Sequence, residues 1–311
     1  MHDLSHSVMF HHFHNEIHPQ GQGSLDSNNF NKMLDWLKSN YNLLSADDYL
    51  KKALSSSLEK DDICLSFDDA LLCQYEVAFP VLEERNIKAF FFIYSSPLNN
   101  QVDYLEIFRF FRTISYETID EFYADFFSIY KIENFNEFLK EKEKYNNLDY
   151  LSAFEFYSND DKWFRYIRDQ VLTSESYQAI MLKLLEKKDF DMEAAMSQLW
   201  MTDEHISALN SKGHILGLHS YNHPMTIQKL SYSEQQLEYK ENYDHLKKVI
   251  GETKIITMSH PCGNYNQDTL KVLKDMGIKV GFLSSMADTK INSLLELPRE
   301  DQANVAREMN L

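Results

Sequence analysis

Ile63-Cys64-Leu65-Ser66-Phe67-Asp68-Asp69 is the stretch on which the fold turns. Its apolar run has the near-continuous character of a strand covered on both faces, as in a parallel sheet. Working outward, comparable runs occupy residues 8–13, 88–94, 214–218, 254–258, 279–283 and 294–297. Amphipathic stretches with helical spacing lie between them, at 30–40, 74–85, 233–250 and 267–276, the last followed by Gly277 as a helix C-cap. Strands alternating with helices define an α/β chain. About seven such units are too many for a small open sheet and nearly enough for a (β/α) barrel. Chemistry in such barrels collects where strands end and loops begin, so the residues after each run carry the functional signal.

The 311 residues suit one large α/β domain carrying an insertion. Residues 101–200 hold more than half of the 21 Phe, 18 Tyr and 3 Trp, and they lack the strand–helix alternation. Helical spacing at 117–130, 134–145, 161–169 and 174–188 divides the chain into 1–97, a helical, aromatic-rich insertion at 98–200, and 201–311. Phe122, Tyr123, Phe126, Phe127 and Tyr130 form one stripe, read as the packing face of a small helical subdomain. The alternative is that some of these rings line a sugar cleft.

Lys and Arg number 31 against 48 Asp and Glu, a net charge of −17 that repels a phosphate backbone and argues against nucleic acid as a partner. No apolar run is long enough for a transmembrane segment, and the first residues lack the basic and apolar parts of a secretory signal, so the expected location is the cytoplasm. Cys64, Cys73 and Cys262 are too scattered for a disulfide framework or a thiolate zinc site.

Three strand ends carry polar residues. Asp68 and Asp69 repel each other and resist burial unless a cation or proton compensates them, although such a pair read alone is also a helix cap or a turn. The run 215–218 leads into His219-Ser220-Tyr221-Asn222-His223. Two histidines four apart close on one cation, and Ser220 with Pro224 disfavours the zinc-protease helix, leaving a loop after a strand. The run 255–258 leads into Ser259-His260-Pro261-Cys262-Gly263, a tight turn whose amides can point into a cleft, or an ordinary loop.

In this order the segments resemble the polysaccharide deacetylases, the NodB-homology family 4 of carbohydrate esterases. The family's Thr-Phe-Asp-Asp-Gly reads here Ser66-Phe67-Asp68-Asp69-Ala70, followed by Tyr75, Pro80-Val81-Leu82 and Lys88-Ala89-Phe90-Phe91-Phe92-Ile93. Its His-Ser/Thr-x-x-His reads His219-Ser220-Tyr221-Asn222-His223, and its Arg-x-Pro-Tyr-Gly survives as Ser259-His260-Pro261-Cys262-Gly263. The resemblance covers residues 60–95 and 200–300 and the first strand, and it implies a distorted (β/α)7-type barrel.

The resemblance further implies a divalent metal held by Asp69, His219 and His223, zinc by ligand type, with cobalt, nickel or manganese as substitutes. Asp68 becomes the general base for a water, and the backbone N–H of Cys262 stabilises the oxyanion. Ser259 stands where the family has the arginine that pairs with the base. Arg299 either supplies that guanidinium or forms a surface ion pair. Ala70 stands where the family has glycine, a replacement that asks for a negative φ. No histidine follows His260, so the late histidine acid has no counterpart. Half of the 12 histidines lie in residues 1–18. Some deacetylases carry a Tyr-His pair near the end of the first strand, and Phe10-His11 matches it. His11 is therefore the expected general acid, with His14 the runner-up, while His12 is expected in the core and His2, His6 and His18 in solvent.

The expected activity is metal-dependent removal of an N-acetyl group from an acetamido sugar in glycan or surface-polysaccharide biosynthesis. The partner would be an N-acetylated sugar or glycan precursor, and the insertion would act as a cap that selects it. The same site suits an O-acetyl ester or a non-sugar amide. A chain lacking the motif-three arginine is also open to a reading as a non-catalytic carbohydrate-binding relic.

Overall fold

The computed structural model describes residues 4–21, 23–151, 158–287 and 291–311. Eight strands, β1 (His6–Phe10), β2 (Asn42–Leu43), β3 (Asp62–Asp68), β4 (Phe90–Ile93), β5 (Ile215–Leu218), β6 (Thr257–Ser259), β7 (Val280–Phe282) and β8 (Arg299–Asp301), form one parallel sheet. Its order is β7-β6-β5-β4-β3-β1-β8, with β2 paired to the start of β3. The segment 297–301 nearly closes the ring. Leu297 bridges to Phe282 of β7, and Arg299–Asp301 pair with Ser7–Met9 of β1. The fold is thus a distorted (β/α)7 barrel.

The last strand was expected at 294–297. Only Leu297 bridges there, to β7, and the last strand lies beyond Pro298, where residues 299–301 pair with β1. Arg299 accordingly opens the last strand and does not follow it. The expected helix at 74–85 is a π turn, Gln74–Ala78, leading into helix Phe79–Glu84. Pro80 lies at the junction, where its missing N–H breaks the helical ladder.

Two faces of β3 serve two layers, as period-two alternation requires. Leu65 and Phe67 face outward. Phe67 stacks on its register neighbour Phe91 at 4.6 Å, and Phe10, Phe13 and Phe30 complete the layer beneath helix Ser27–Asn40. Cys64, Ser66 and Asp68 face inward. There Cys64, Phe90, Phe92, Val280, Phe282 and Leu297 form one buried cluster with Tyr49 and Leu50 of helix Ala46–Leu54. Gly217 is required in this interior, since a Cβ there would lie 2.6 Å from Thr257 Oγ1 and 2.7 Å from the Phe92 ring.

The barrel unit comprises Met1–Asp103 and Ser197–Leu311, and Tyr104–Met196 form a second compact unit. That unit is helical, with Thr118, Ser158 and Thr173 capping helices Ile119–Glu133, Asn159–Tyr166 and Ser174–Lys187 through their side-chain oxygens. Phe122, Tyr123, Phe126 and Tyr130 are buried in it together with Trp163, Phe164 and Tyr166, and half-buried Phe127 stacks on Trp163. The aromatic stripe therefore packs the unit's own core. No helix among the described residues is long and apolar enough to cross a membrane.

Candidate metal centre

Asp68 ends β3 on the inward face, and the chain then turns sharply. Asp69 and Ala70 both adopt left-handed conformations, at φ +77° and +54°. The condition of a negative φ at Ala70 is not met, so its methyl group is held where a Cβ crowds the following carbonyl. The turn brings the Asp69 carboxylate to the barrel mouth, and the Asp69 N–H stays tied to Phe92 O at 3.2 Å.

His219 and His223 arrive on the loop after β5. Their Nε2 atoms lie 3.4 and 3.6 Å from Asp69 Oδ1, and the three candidate ligand atoms fall within 4.8 Å of one another. Tetrahedral bonds of about 2.0–2.1 Å place neighbouring ligand atoms about 3.3 Å apart, close to the two spacings from Asp69 Oδ1. Asp69 Oδ1 is buried and accepts no hydrogen bond among the described residues. An orphaned carboxylate oxygen between two imidazoles fits a cation. The carbonyl of Ser259 can only accept, so the 2.9 Å contact puts the proton of His219 on Nδ1 and leaves the Nε2 lone pair facing Asp69.

Asp68 is gripped from inside the barrel. Arg299, fully buried, donates from Nη1 to Oδ1 and from Nη2 to Oδ2, each at 2.7 Å. Its Nε donates to Leu283 O, and its Cζ lies 5.8 Å from the centroid of Phe92. Ser259 adds a 3.3 Å hydrogen bond to Asp68 Oδ1 and contacts His219 Nδ1 through Oγ at 2.7 Å.

The charges follow this geometry. Burial pushes both carboxyls up, but Arg299 and then His219 pull Asp68 below its ordinary value. His223, His219 and His11 do the same for Asp69. Burial pushes His219 down, and Asp68 and Asp69 more than reverse it. His223 and His11 stay lowered because desolvation outweighs the pull of Asp69.

His11 follows β1 directly. Its side chain is 31% exposed and its Nε2 stands 3.9 Å from Asp69 Oδ2, the carboxylate oxygen not shared by the two other histidines. His14 is not brought to this cluster, and its Nδ1 contacts Ser24 Oγ at 2.8 Å. Cys262 sits at φ +50° in the turn Pro261–Gly263. It is exposed, but partial desolvation followed by Asp69 and Asp68 pushes its thiol up to about 11. The thiol is therefore neutral at pH 7. His12 is half-buried and stacks on His11. His6 and His18, expected in solvent, are buried, with His6 Nδ1 against Leu4 O and His18 Nε2 2.7 Å from Glu76. His2 lies outside the described residues.

Several contributors escaped the sequence reading. Ser259 counted only as a lost arginine, yet it touches both Asp68 and His219. Gln74, fully buried, donates to the carbonyls of His11 and Asp68 at 2.8 and 2.6 Å. Asn242 and Glu238 of helix Tyr232–Ile250 bond the histidine loop. For Asn242 a signal was available, because it is a polar residue in the buried stripe Tyr239, Asn242, Leu246 and Ile250.

A family model described as polysaccharide deacetylase matches residues 160–281. Over that interval the chain is similar to the polysaccharide deacetylases. The matched interval contains His219, His223 and Ser259, whereas Asp68, Asp69 and Arg299 lie outside it. Solved deacetylases share the fold. The Streptococcus pyogenes deacetylase PplD in complex with acetate is 16% identical over 95% of this chain and 90% of its own, with a TM-score of 0.55. IcaB from Ammonifex degensii is 14% identical over 96% and 93%, also at 0.55. A de-N-acetylase from Aggregatibacter actinomycetemcomitans is 14% identical over 95% and 92%, at 0.52. At these identities the likeness to the solved structures is one of fold. A search of curated proteins returned no match.

Proposed function

We propose that the chain is a metal-dependent carbohydrate N-deacetylase, hydrolysing the N-acetyl group of an acetamido sugar to acetate and a free amine. One observation carries the reading: Asp69 Oδ1 is buried without a donor between two imidazole nitrogens, beside an Asp68 that Arg299 keeps ionised. Asp69, His219 and His223 would hold the divalent ion, zinc by donor type. Bound there, the ion supplies Lewis acidity toward an acetyl carbonyl and acidifies a water.

The chain's own groups do the rest. Asp68 Oδ1 accepts from both Arg299 and Ser259, whereas Oδ2 spends one lone pair on Arg299 and keeps another, so Oδ2 can take the proton of the attacking water while the guanidinium fixes the carboxylate plane. The Cys262 N–H stabilises the oxyanion, a role that does not depend on the side chain. His11, on the other oxygen of Asp69, delivers a proton to the leaving nitrogen. Arg299 replaces the missing motif-three arginine in charge, which favours a working base over a relic. The substrate in this reading is an N-acetylated sugar or glycan precursor.

The test measures acetate and amine together, from a panel of N- and O-acetylated sugars, with zinc-loaded and metal-free chain. Equal acetate and amine, dependent on metal, is the expected result. Acetate from O-acetyl sugars alone makes the chain an esterase, and no acetate from any sugar favours the relic.

A further inference from the structure

We infer that Glu238 and Asn242, one turn apart on helix Tyr232–Ile250, are positioning residues that clamp the histidine loop and so set the affinity of the metal site. The inference rests on the metal reading above.

The loop after β5 is held in an unfavourable shape. Ser220 and His223 both have positive φ, +63° and +51°, a region where a Cβ crowds the backbone. Within the loop, Ser220 Oγ accepts from His223 N–H at 3.1 Å. That bond is local and does not anchor the loop to the barrel.

The end of β4 anchors the loop through Ser95 and Ser96 N–H, which donate to Tyr221 O at 3.2 and 2.9 Å, and through Ile93 O, which accepts from His219 N–H at 3.1 Å; the helix adds the remaining anchors. Glu238 Oε2 accepts from the N–H groups of Tyr221 and Asn222 at 3.1 and 2.8 Å, and its Oε1 accepts from Asn222 Nδ2 at 2.7 Å. Asn242, fully buried, accepts from His219 N–H at 3.0 Å through Oδ1. Its Nδ2 donates to Ile93 O at 2.9 Å and Ser95 Oγ at 2.6 Å, which ties the loop to the end of β4. The helix thus bonds the backbone of three of the five residues from His219 to His223, including one candidate ligand itself, while touching none of the three ligand atoms. Residues outside the ligands that fix ligand orientation commonly change metal affinity about 10- to 100-fold when removed.

Asn242 is buried with every polar atom used, so its removal threatens folding, and the test uses Glu238. Glu238→Ala removes the acceptors. Glu238→Gln keeps a carbonyl oxygen for the two backbone N–H groups, and Asn222 can turn its own amide to match the new NH2. Two readouts apply: amide hydrogen exchange of the 219–223 segment in metal-free chain, and zinc Kd by competition with a chelating dye. For Glu238→Ala the expected result is exchange about tenfold or more faster in that segment only, and a zinc Kd weakened about 10- to 100-fold. Glu238→Gln should stay near the parent in both. Unchanged exchange in Glu238→Ala overturns the clamp, and changed exchange with an unchanged Kd overturns its effect on metal affinity. A parent chain that binds no zinc overturns the metal reading and with it the inference about affinity, while altered exchange would still support the clamp on the loop.

Discussion

Arg299 and Asp68, 231 residues apart in the chain, meet in two parallel hydrogen bonds of 2.7 Å, and neither side chain reaches solvent. A planar guanidinium matches a carboxylate in this way, and a lysine ammonium does not. Arg299→Met leaves the Asp68 charge buried and unpaired, and the expected loss is about 3–5 kcal/mol in urea unfolding at pH 7. Arg299→Lys should fold better, yet the acid limb of its turnover profile should move to higher pH. Arg299 holds the Asp68 carboxyl down, so a poorer partner lets it rise. An acid limb unmoved in the lysine variant would detach the pair from catalysis.

Asp68 and Asp69 are neighbours with separable tasks. Asp69→Asn removes a ligand charge, and its zinc affinity should fall by more than the about 100-fold typical of an outer-shell change. Asp68→Asn should retain zinc and lose turnover. Metal content after dialysis, read beside acetate release, separates the two, and equal metal loss in both variants would contradict the assignment.

Ala70 gives a test on stability alone. Its φ of +54° costs a non-glycine residue roughly 1–2 kcal/mol, partly offset by about 0.8 kcal/mol for the buried methyl. Ala70→Gly should therefore match or exceed the parent by up to about 1 kcal/mol. Ala70→Val places a β-branched residue in the same region and should be clearly less stable. Urea midpoints should rank Gly at or above Ala, and Ala above Val.

Two buried imidazoles outside the metal centre add to the acid sensitivity of the barrel. Burial is the main cause lowering His214 and His260, each to about 4, with Lys88 adding to it for His214. In the unfolded chain each titrates near its ordinary value of about 6.5. The unfolded state therefore binds more protons between these values, and stability that is complete above pH 6.5 is lost as pH falls toward 4. At pH 5 each histidine should cost about 2 kcal/mol relative to pH 7. Urea midpoints at the two pH values check this, and His214→Gln should reduce the difference.

The barrel was legible because its strands are short, apolar and followed by amphipathic helices, a pattern that 63–67 and 88–94 show most clearly. What failed were places where a local rule met a tertiary demand. The last strand lies past the apolar run at 294–297, in Arg299-Glu300-Asp301, which pairs with β1 and has no hydrophobic pattern to announce it. His6 and His18 read as solvated because nothing local names their partners, Leu4 O and Glu76. The convergence of Asp68, Asp69, His219 and His223 was expected from the resemblance to the deacetylases, because adjacent carboxylates and a four-residue histidine spacing, read alone, also suit a turn and a loop. Ser259 and Glu238 were not, because each acts by touching a residue far away in sequence.

The pairing of β8 with β1 gives the protein an order of assembly during synthesis. Asp69, His219 and His223 have all left the ribosome before Arg299 is made, so a growing chain owns its complete ligand set while the carboxylate beside it still lacks a counter-charge. The last strand both supplies that charge and nearly closes the ring. A chain interrupted before residue 297 would lose both at once, and an unfinished product would be conspicuous to proteolysis as an open barrel.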